Sequence, residues 1–137
     1  MRVFLDSSAF AKRLVDEPGS DAVAALCAQA GQLAVSILCA PEIAAALNRR
    51  VREQVLTRRQ YRAATRRLWA DLADTDVVTL TPAVVRRSIS LLEAHALRSL
   101  DALQVACAQE WAADLFVSAD RRQLGAADAA GLRTREV

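Results

Sequence analysis

Four short apolar runs, at residues 3–5, 33–36, 77–80 and 115–117, are each too brief for a buried helix and read as strands, and a fifth strand is expected near 132–135. The stretches between them carry helical spacing. Strands that are apolar throughout, rather than alternating like a half-exposed hairpin, need cover on both faces, and intervening helices supply it. This pattern restricts the chain to the α/β class with a parallel sheet. In such sheets a ligand binds beyond the carboxyl ends of the strands, where the strand order reverses.

Two of the runs lead directly into acids, Asp6 and, after Ser118 and Ala119, Asp120. Two further acids fall in the first turns of helices that follow strands. Glu42 comes after Pro41, expected at the first helical position, and Asp101 comes after Ser99, expected as the cap. Short right-handed connections bring all four toward one edge of the sheet. Other helices are expected over 7–16, with Phe10 and Leu14 in register, from Ser20 as its cap to Gly31 as its stop, over 58–72, and from Pro82, with Val85, Ile89, Leu92 and Ala96 as the inward stripe. The helix over 100–113 is apolar on nearly every side and is expected to be the most buried. No repeat or linker divides the chain, so residues 1–137 are expected to form a single domain.

Gathered carboxylates repel one another and would hold protons near neutral pH unless a cation compensates. Magnesium or manganese is the natural choice, because such ions take one or two carboxylates directly and keep waters and room for a phosphate. The reaction class that follows is metal-assisted hydrolysis of a phosphodiester. Each acid alone is also explained as a helix cap or a favourable charge at a helix N-terminus. The two explanations are compatible, since the same N-termini keep the carboxylates ionised for a cation.

Competing chemistries find few residues. The single histidine, His95, has no cysteine or histidine at ligand spacing, which excludes a zinc site and leaves no Ser-His or Cys-His pair. Phosphate-binding glycine loops are absent. The three cysteines, Cys27, Cys39 and Cys107, are scattered among apolar or small neighbours and read as thiols of a reducing compartment. With no apolar stretch long enough to span a membrane, a cytoplasmic location without membrane attachment is expected. Net charge is only +2, yet eight arginines between Arg49 and Arg67 face a single acid, Glu53. Of these, Arg49, Arg50, Arg59, Arg62 and Arg66 are candidates for an RNA backbone path, with a solvated helix face as the equally good alternative.

The motifs V-F-L-D-S-S-A-F from Val3, P-E-I-A-A-A-L from Pro41, S-L-D-A-L-Q-V-A from Ser99 and V-S-A-D-R-R from Val117 are short individually, but their order and spacing are specific. With them the chain resembles the PIN-domain ribonucleases, most closely the VapC toxins of bacterial toxin–antitoxin pairs. The resemblance implies a PIN-like three-layer sandwich with a central five-stranded parallel sheet, Mg2+ or Mn2+ at the acidic pocket, and endonucleolytic cleavage of structured RNA such as tRNA or rRNA. It carries catalytic and metal-binding roles onto Asp6, Glu42 and Asp101, and onto Asp120 as the more variable fourth acid. Ser7, Ser8 and Ser118 match polar positions that would support water or phosphate. It also implies a homodimer and a cognate VapB-type antitoxin, for whose helix Phe10, Leu14 and the segment 49–69 are candidate contacts.

Two other readings use the same residues. A haloacid-dehalogenase-like phosphatase also places an aspartate after its first strand but wants a second two residues on, where this chain has Ser8. A catalytically idle module that only docks RNA or protein would tolerate replacement of the acids.

Overall fold

The computed structural model describes all residues, Met1–Val137. The strands are β1 (Arg2–Leu5), β2 (Gln32–Ser36), β3 (Asp76–Val78), β4 (Leu115–Ser118) and β5 (Thr134–Glu136). The helices are α1 (Ser7–Ala11), α2 (Ser20–Gln29), α3 (Cys39–Arg52), α4 (Arg58–Ala73), α5 (Pro82–Ala94), α6 (Ser99–Glu110) and α7 (Arg121–Ala129). All four strand pairings are parallel, in the order β3-β2-β1-β4-β5. The chain winds outward from β1 through β2 to β3, then crosses back to lay β4 on the other side of β1. The order therefore reverses between β1 and β4, the position at which open α/β sheets bind ligands.

Because side chains alternate along a strand, β1 splits its residues between two cores. Val3 and Leu5 join Phe10, Val23, Val35, Ile43, Leu47 and Leu68 beneath α1 to α4. Phe4 joins Phe116, Val84, Leu91, Val105 and Leu124 beneath α5 to α7, with the Phe4 and Phe116 rings stacked at 5.8 Å. The expected α/β sandwich is the one observed.

Several local expectations differ. The first helix is shorter than 7–16: after Ala11 the backbone tightens, with Lys12, Arg13 and Leu14 N–H groups each bonding three residues back. Lys12 Nζ then bonds the Pro18 carbonyl at 2.6 Å, holding the turn that leads to α2. Gly19, not Ser20, occupies the N-cap of α2 with φ of 94°, and a Cβ there would lie 2.8 Å from the Val137 carbonyl carbon. Helix α3 begins at Cys39, two residues before Pro41, which is tolerated because its missing N–H is one of the four that a helix start leaves unbonded. Arg98, without a side-chain bond, occupies the N-cap of α6 in place of Ser99. The third strand stops at Val78 and the last one is shifted to Thr134–Glu136.

The clearest correction is α5. Its buried residues are Val84, Ser88 and Leu91, while Val85, Ile89 and Leu92 are 41%, 51% and 37% exposed. Two stripes one residue apart compete on this helix, and the one containing serine wins. Ser88 returns its hydroxyl to the Val85 carbonyl at 2.7 Å, so it buries no unpaired polar group.

Candidate active site

Asp6 begins where β1 ends. Its backbone N–H donates to the Val117 carbonyl at 3.0 Å, so the residue straddles the gap between β1 and β4. Its side chain caps α1: Oδ1 accepts from Ala9 N at 2.8 Å and from Ser8 Oγ at 2.7 Å, and Oδ2 accepts from Ser118 Oγ at 2.6 Å. Only 2% of Asp6 is exposed. Burial pushes its carboxyl up to about 6, against the pull of those three donors and with a further push from the Glu42 carboxylate.

Glu42, in the first turn of α3, extends toward α1 and α6. Its Oε1 accepts from Ser7 Oγ at 2.8 Å and from Gln104 Nε2 at 2.6 Å, and Gln104 Nε2 also donates to Ser7 Oγ at 2.8 Å. Beneath them Cys39 is fully buried, and burial pushes its thiol up to about 12, which keeps this sulfur protonated at neutral pH in the metal-free protein.

Asp101 and Asp120 form a second pair. Asp101 lies half-buried in the first turn of α6, and its carboxyl is raised by burial and by the Asp120 carboxylate, with Arg98 and Arg122 opposing. Asp120 caps α7, its Oδ1 accepting from the N–H groups of Arg122 and Gln123 at 2.9 and 3.4 Å. Gln123 Nε2 in turn donates to the Asp101 carbonyl at 3.3 Å, tying the start of α7 to that of α6.

The quartet is thus two carboxylate pairs and not one knot. No group of three or more carboxylate, thiol or imidazole side chains stands close enough to hold one ion together. Small polar side chains stitch the pairs to each other. The Ser118 hydroxyl donates to Asp6 and accepts from Asp120 N–H at 2.9 Å, while Gln104, one turn beyond Asp101 on α6, reaches Glu42. None of the four acids has an ion pair with lysine or arginine. Carboxylate oxygens free of ion pairs, with serine hydroxyls beside Asp6 and Glu42, are the donor chemistry of a hard divalent cation, which needs only one or two carboxylates directly.

All three serines singled out in the sequence belong here: Ser7 on Glu42, and Ser8 and Ser118 on Asp6, with Ser8 Oγ also accepting from Ala119 N at 2.9 Å. A cleft of about 310 Å³ opens beside them, lined by Ser7, Ser8, Glu42 and Arg50 and by an apolar wall including Leu14, Val15, Ile43 and Leu47. Arg50 is paired with Glu17 at 3.1 Å. Arg49, Arg59, Arg62 and Arg66 do not line this cleft and are exposed on α3 and α4. Phe10 is fully buried and belongs to the core, so of the two early apolar residues only Leu14 faces the cleft.

Sequence reasoning missed Gln104. It is 2% exposed, and its Oε1 is buried without a partner, a loss of about 1–3 kcal/mol. The available signal was an amide inside the helix with the most buried residues, a position where a carboxamide is expected only if something binds it.

The PIN-domain family profile matches residues 3–129, from the second residue of β1 to the last of α7. The chain belongs to the PIN-domain family. Among its PIN-domain relatives, Ribonuclease VapC45 of Mycobacterium tuberculosis is 39% identical over 134 residues, covering 96% of this chain and 92% of the relative. Many solved structures share the fold, and two serve as examples. One is the Mycobacterium tuberculosis toxin VapC20, described as cleaving the sarcin–ricin loop, with a TM-score of 0.72 at 20% identity over 98% of each chain. The other is a toxin–antitoxin complex from Klebsiella pneumoniae, with a TM-score of 0.71 at 18% identity over 98% of this chain and 99% of that one. Membership leaves the phosphatase reading without support, and Ser8, standing where that reading wants an acid, is occupied in holding Asp6.

Proposed function

We propose that this PIN domain, residues 1–137, is an endoribonuclease toxin of the VapC type that hydrolyses structured RNA with Mg2+ or Mn2+. The observation that carries the reading is the placement of two carboxylate pairs, Asp6 with Glu42 and Asp101 with Asp120, none of them ion-paired to lysine or arginine, at the strand-order reversal. Asp6, Glu42 and Asp101 are its core acids and Asp120 the fourth. A divalent cation bound there would supply charge stabilisation for the scissile phosphate and an acidified water. The protein's own residues do the positioning. Ser8, Ser118 and the Ala9 N–H hold the Asp6 carboxylate, Ser7 and Gln104 hold that of Glu42, the N–H groups at the start of α7 hold that of Asp120, and Asp101 lies in the first turn of α6.

Arginines supply the approach. Arg50 in the cleft and Arg49, Arg59, Arg62 and Arg66 on the neighbouring surface suit a phosphate backbone, to which each charge contributes without sequence choice. The structural neighbour VapC20, described as a sarcin–ricin loop cleaving toxin, is in keeping with a structured RNA, tRNA or rRNA, as the target proposed. A VapB-type antitoxin would neutralise the enzyme by laying a helix along the apolar wall of the cleft, a mode to which Leu14, Val15, Ile43 and Leu47 lend themselves. The exposed Val85, Ile89 and Leu92 stripe of α5 supports a homodimer, because a two-fold interface needs only one self-complementary patch. Unpaired cysteines and the lack of any helix long and apolar enough to cross a membrane fit a cytoplasmic enzyme.

The test is RNA cleavage by purified protein freed of antitoxin. Cutting is expected with Mg2+ or Mn2+, to stop with EDTA, and to be lost in Asp6→Asn, Glu42→Gln and Asp101→Asn. RNA binding with no cleavage under any cation would instead indicate a docking module, and undiminished cutting by the three variants would remove the acids from the mechanism. Sequencing the RNA ends produced on brief expression identifies the target.

A further inference from the structure

We infer that Gln104 is a positioning residue that commits Glu42 Oε1 to the protein and leaves Oε2 as the oxygen offered to a divalent cation; this rests on the cation reading above. The geometry is a closed triangle. Glu42 Oε1 accepts from both Ser7 Oγ and Gln104 Nε2, and Gln104 Nε2 spends its second proton on Ser7 Oγ. No protein donor reaches Oε2. Since a carboxylate only accepts, the amide cannot be turned over: with Oε1 of Gln104 toward Glu42, two acceptors would face each other.

That fixed orientation strands the other end of the amide. Gln104 Oε1 is buried and unpartnered, although a methionine or leucine would fill the same space with no stranded atom. The amide therefore serves its amino end. Its position also links the two carboxylate pairs, because Gln104 lies three residues after Asp101 on one helical face and touches Glu42 on another helix. A partner that orients a ligating carboxylate in this way commonly governs metal affinity by ~10–100-fold.

A purely architectural role, tying α6 to α1 and α3, makes a different prediction. The experiment titrates antitoxin-free protein with Mn2+ and follows free ion by electron paramagnetic resonance, alongside thermal melting in EDTA. Gln104→Met should raise the Mn2+ Kd by about tenfold or more while the metal-free melting temperature stays within a few degrees. Gln109→Met, which removes an amide bonding Ala130 O at 3.1 Å on the same helix, should leave Kd unchanged. In a Glu42→Gln background Gln104→Met should add nothing further, because both changes remove the same oriented oxygen. Ser7→Ala, at the rim, deletes the other donor and should raise Kd without depending on how the core tolerates methionine. Wild-type Kd in both Gln104→Met and Ser7→Ala, or equal loss in Gln109→Met, overturns the inference alone. Absence of Mn2+ binding by the wild-type protein overturns the cation reading and the inference with it.

Discussion

The hydroxyl of Ser118, the last residue of β4, donates to Oδ2 of Asp6 at 2.6 Å across 112 residues of sequence. It is the shortest of the three bonds that hold this carboxylate, and it is fully buried. Ser118→Ala should lower stability by about 1.5–3 kcal/mol in urea denaturation near pH 8 without divalent ions, the range for a bond to a charged acceptor. At pH 4, where Asp6 is protonated in the folded protein, the loss should shrink to about 1 kcal/mol. Equal losses at both pH values would mean that the bond does not discriminate between ionised and neutral Asp6.

The raised Asp6 carboxyl also predicts how metal-free stability depends on pH. Its folded value is about 6 against 3.8 in an unperturbed chain. Between these values the folded state holds the proton more firmly, so the contribution is fully present below about 3.8 and is lost as pH rises through about 6. The shift corresponds to about 3 kcal/mol at about 1.4 kcal/mol per unit. Asp6→Asn should therefore stabilise the EDTA-treated protein by about 2–3 kcal/mol at pH 7.5, and the gain should fade toward pH 4. Adding Mg2+ at pH 7.5 should stabilise the wild type and leave Asp6→Asn unmoved, which differential scanning fluorimetry would read directly.

The two faces of α5 predict opposite behaviour for neighbouring residues. Leu91, 6% exposed, should cost about 2–5 kcal/mol on replacement by alanine, whereas Ile89, 51% exposed, should cost under about 0.5 kcal/mol in the monomer. Ile89→Glu should leave the protein folded and, under the dimer proposal, monomeric by analytical ultracentrifugation. A dimer that survives this change pairs through another surface.

What the sequence disclosed depended on how local the cause was. The strands and the edge that carries Asp6 and Asp120 were legible because an apolar run ending in an acid needs no distant partner to be recognised. Glu42 and Asp101 were legible through their place at helix starts. The α5 face was not, since Val84-Ser88-Leu91 and Val85-Ile89-Leu92 are both sound helical stripes and the choice between them is made by packing against α6. Gln104 was hidden for a related reason: its meaning lies in Ser7 and Glu42, 97 and 62 residues away. The division of the acids into two pairs likewise depends on the crossing that places β4 beside β1.

Asp6 N–H bonds Val117 O between the central strand β1 and its neighbour β4, both interior to the sheet, and this determines when that amide can meet solvent. Fraying can release the outer strand β5 without disturbing it, but freeing Asp6 means parting β1 from β4 and opening both cores at once. In hydrogen–deuterium exchange its amide should therefore exchange only through global unfolding, while amides of Thr134–Glu136 exchange through smaller openings. The reactive centre would then persist for as long as the molecule stays folded, leaving occupancy by a cation or partner, rather than local melting, as the means of turning it on and off.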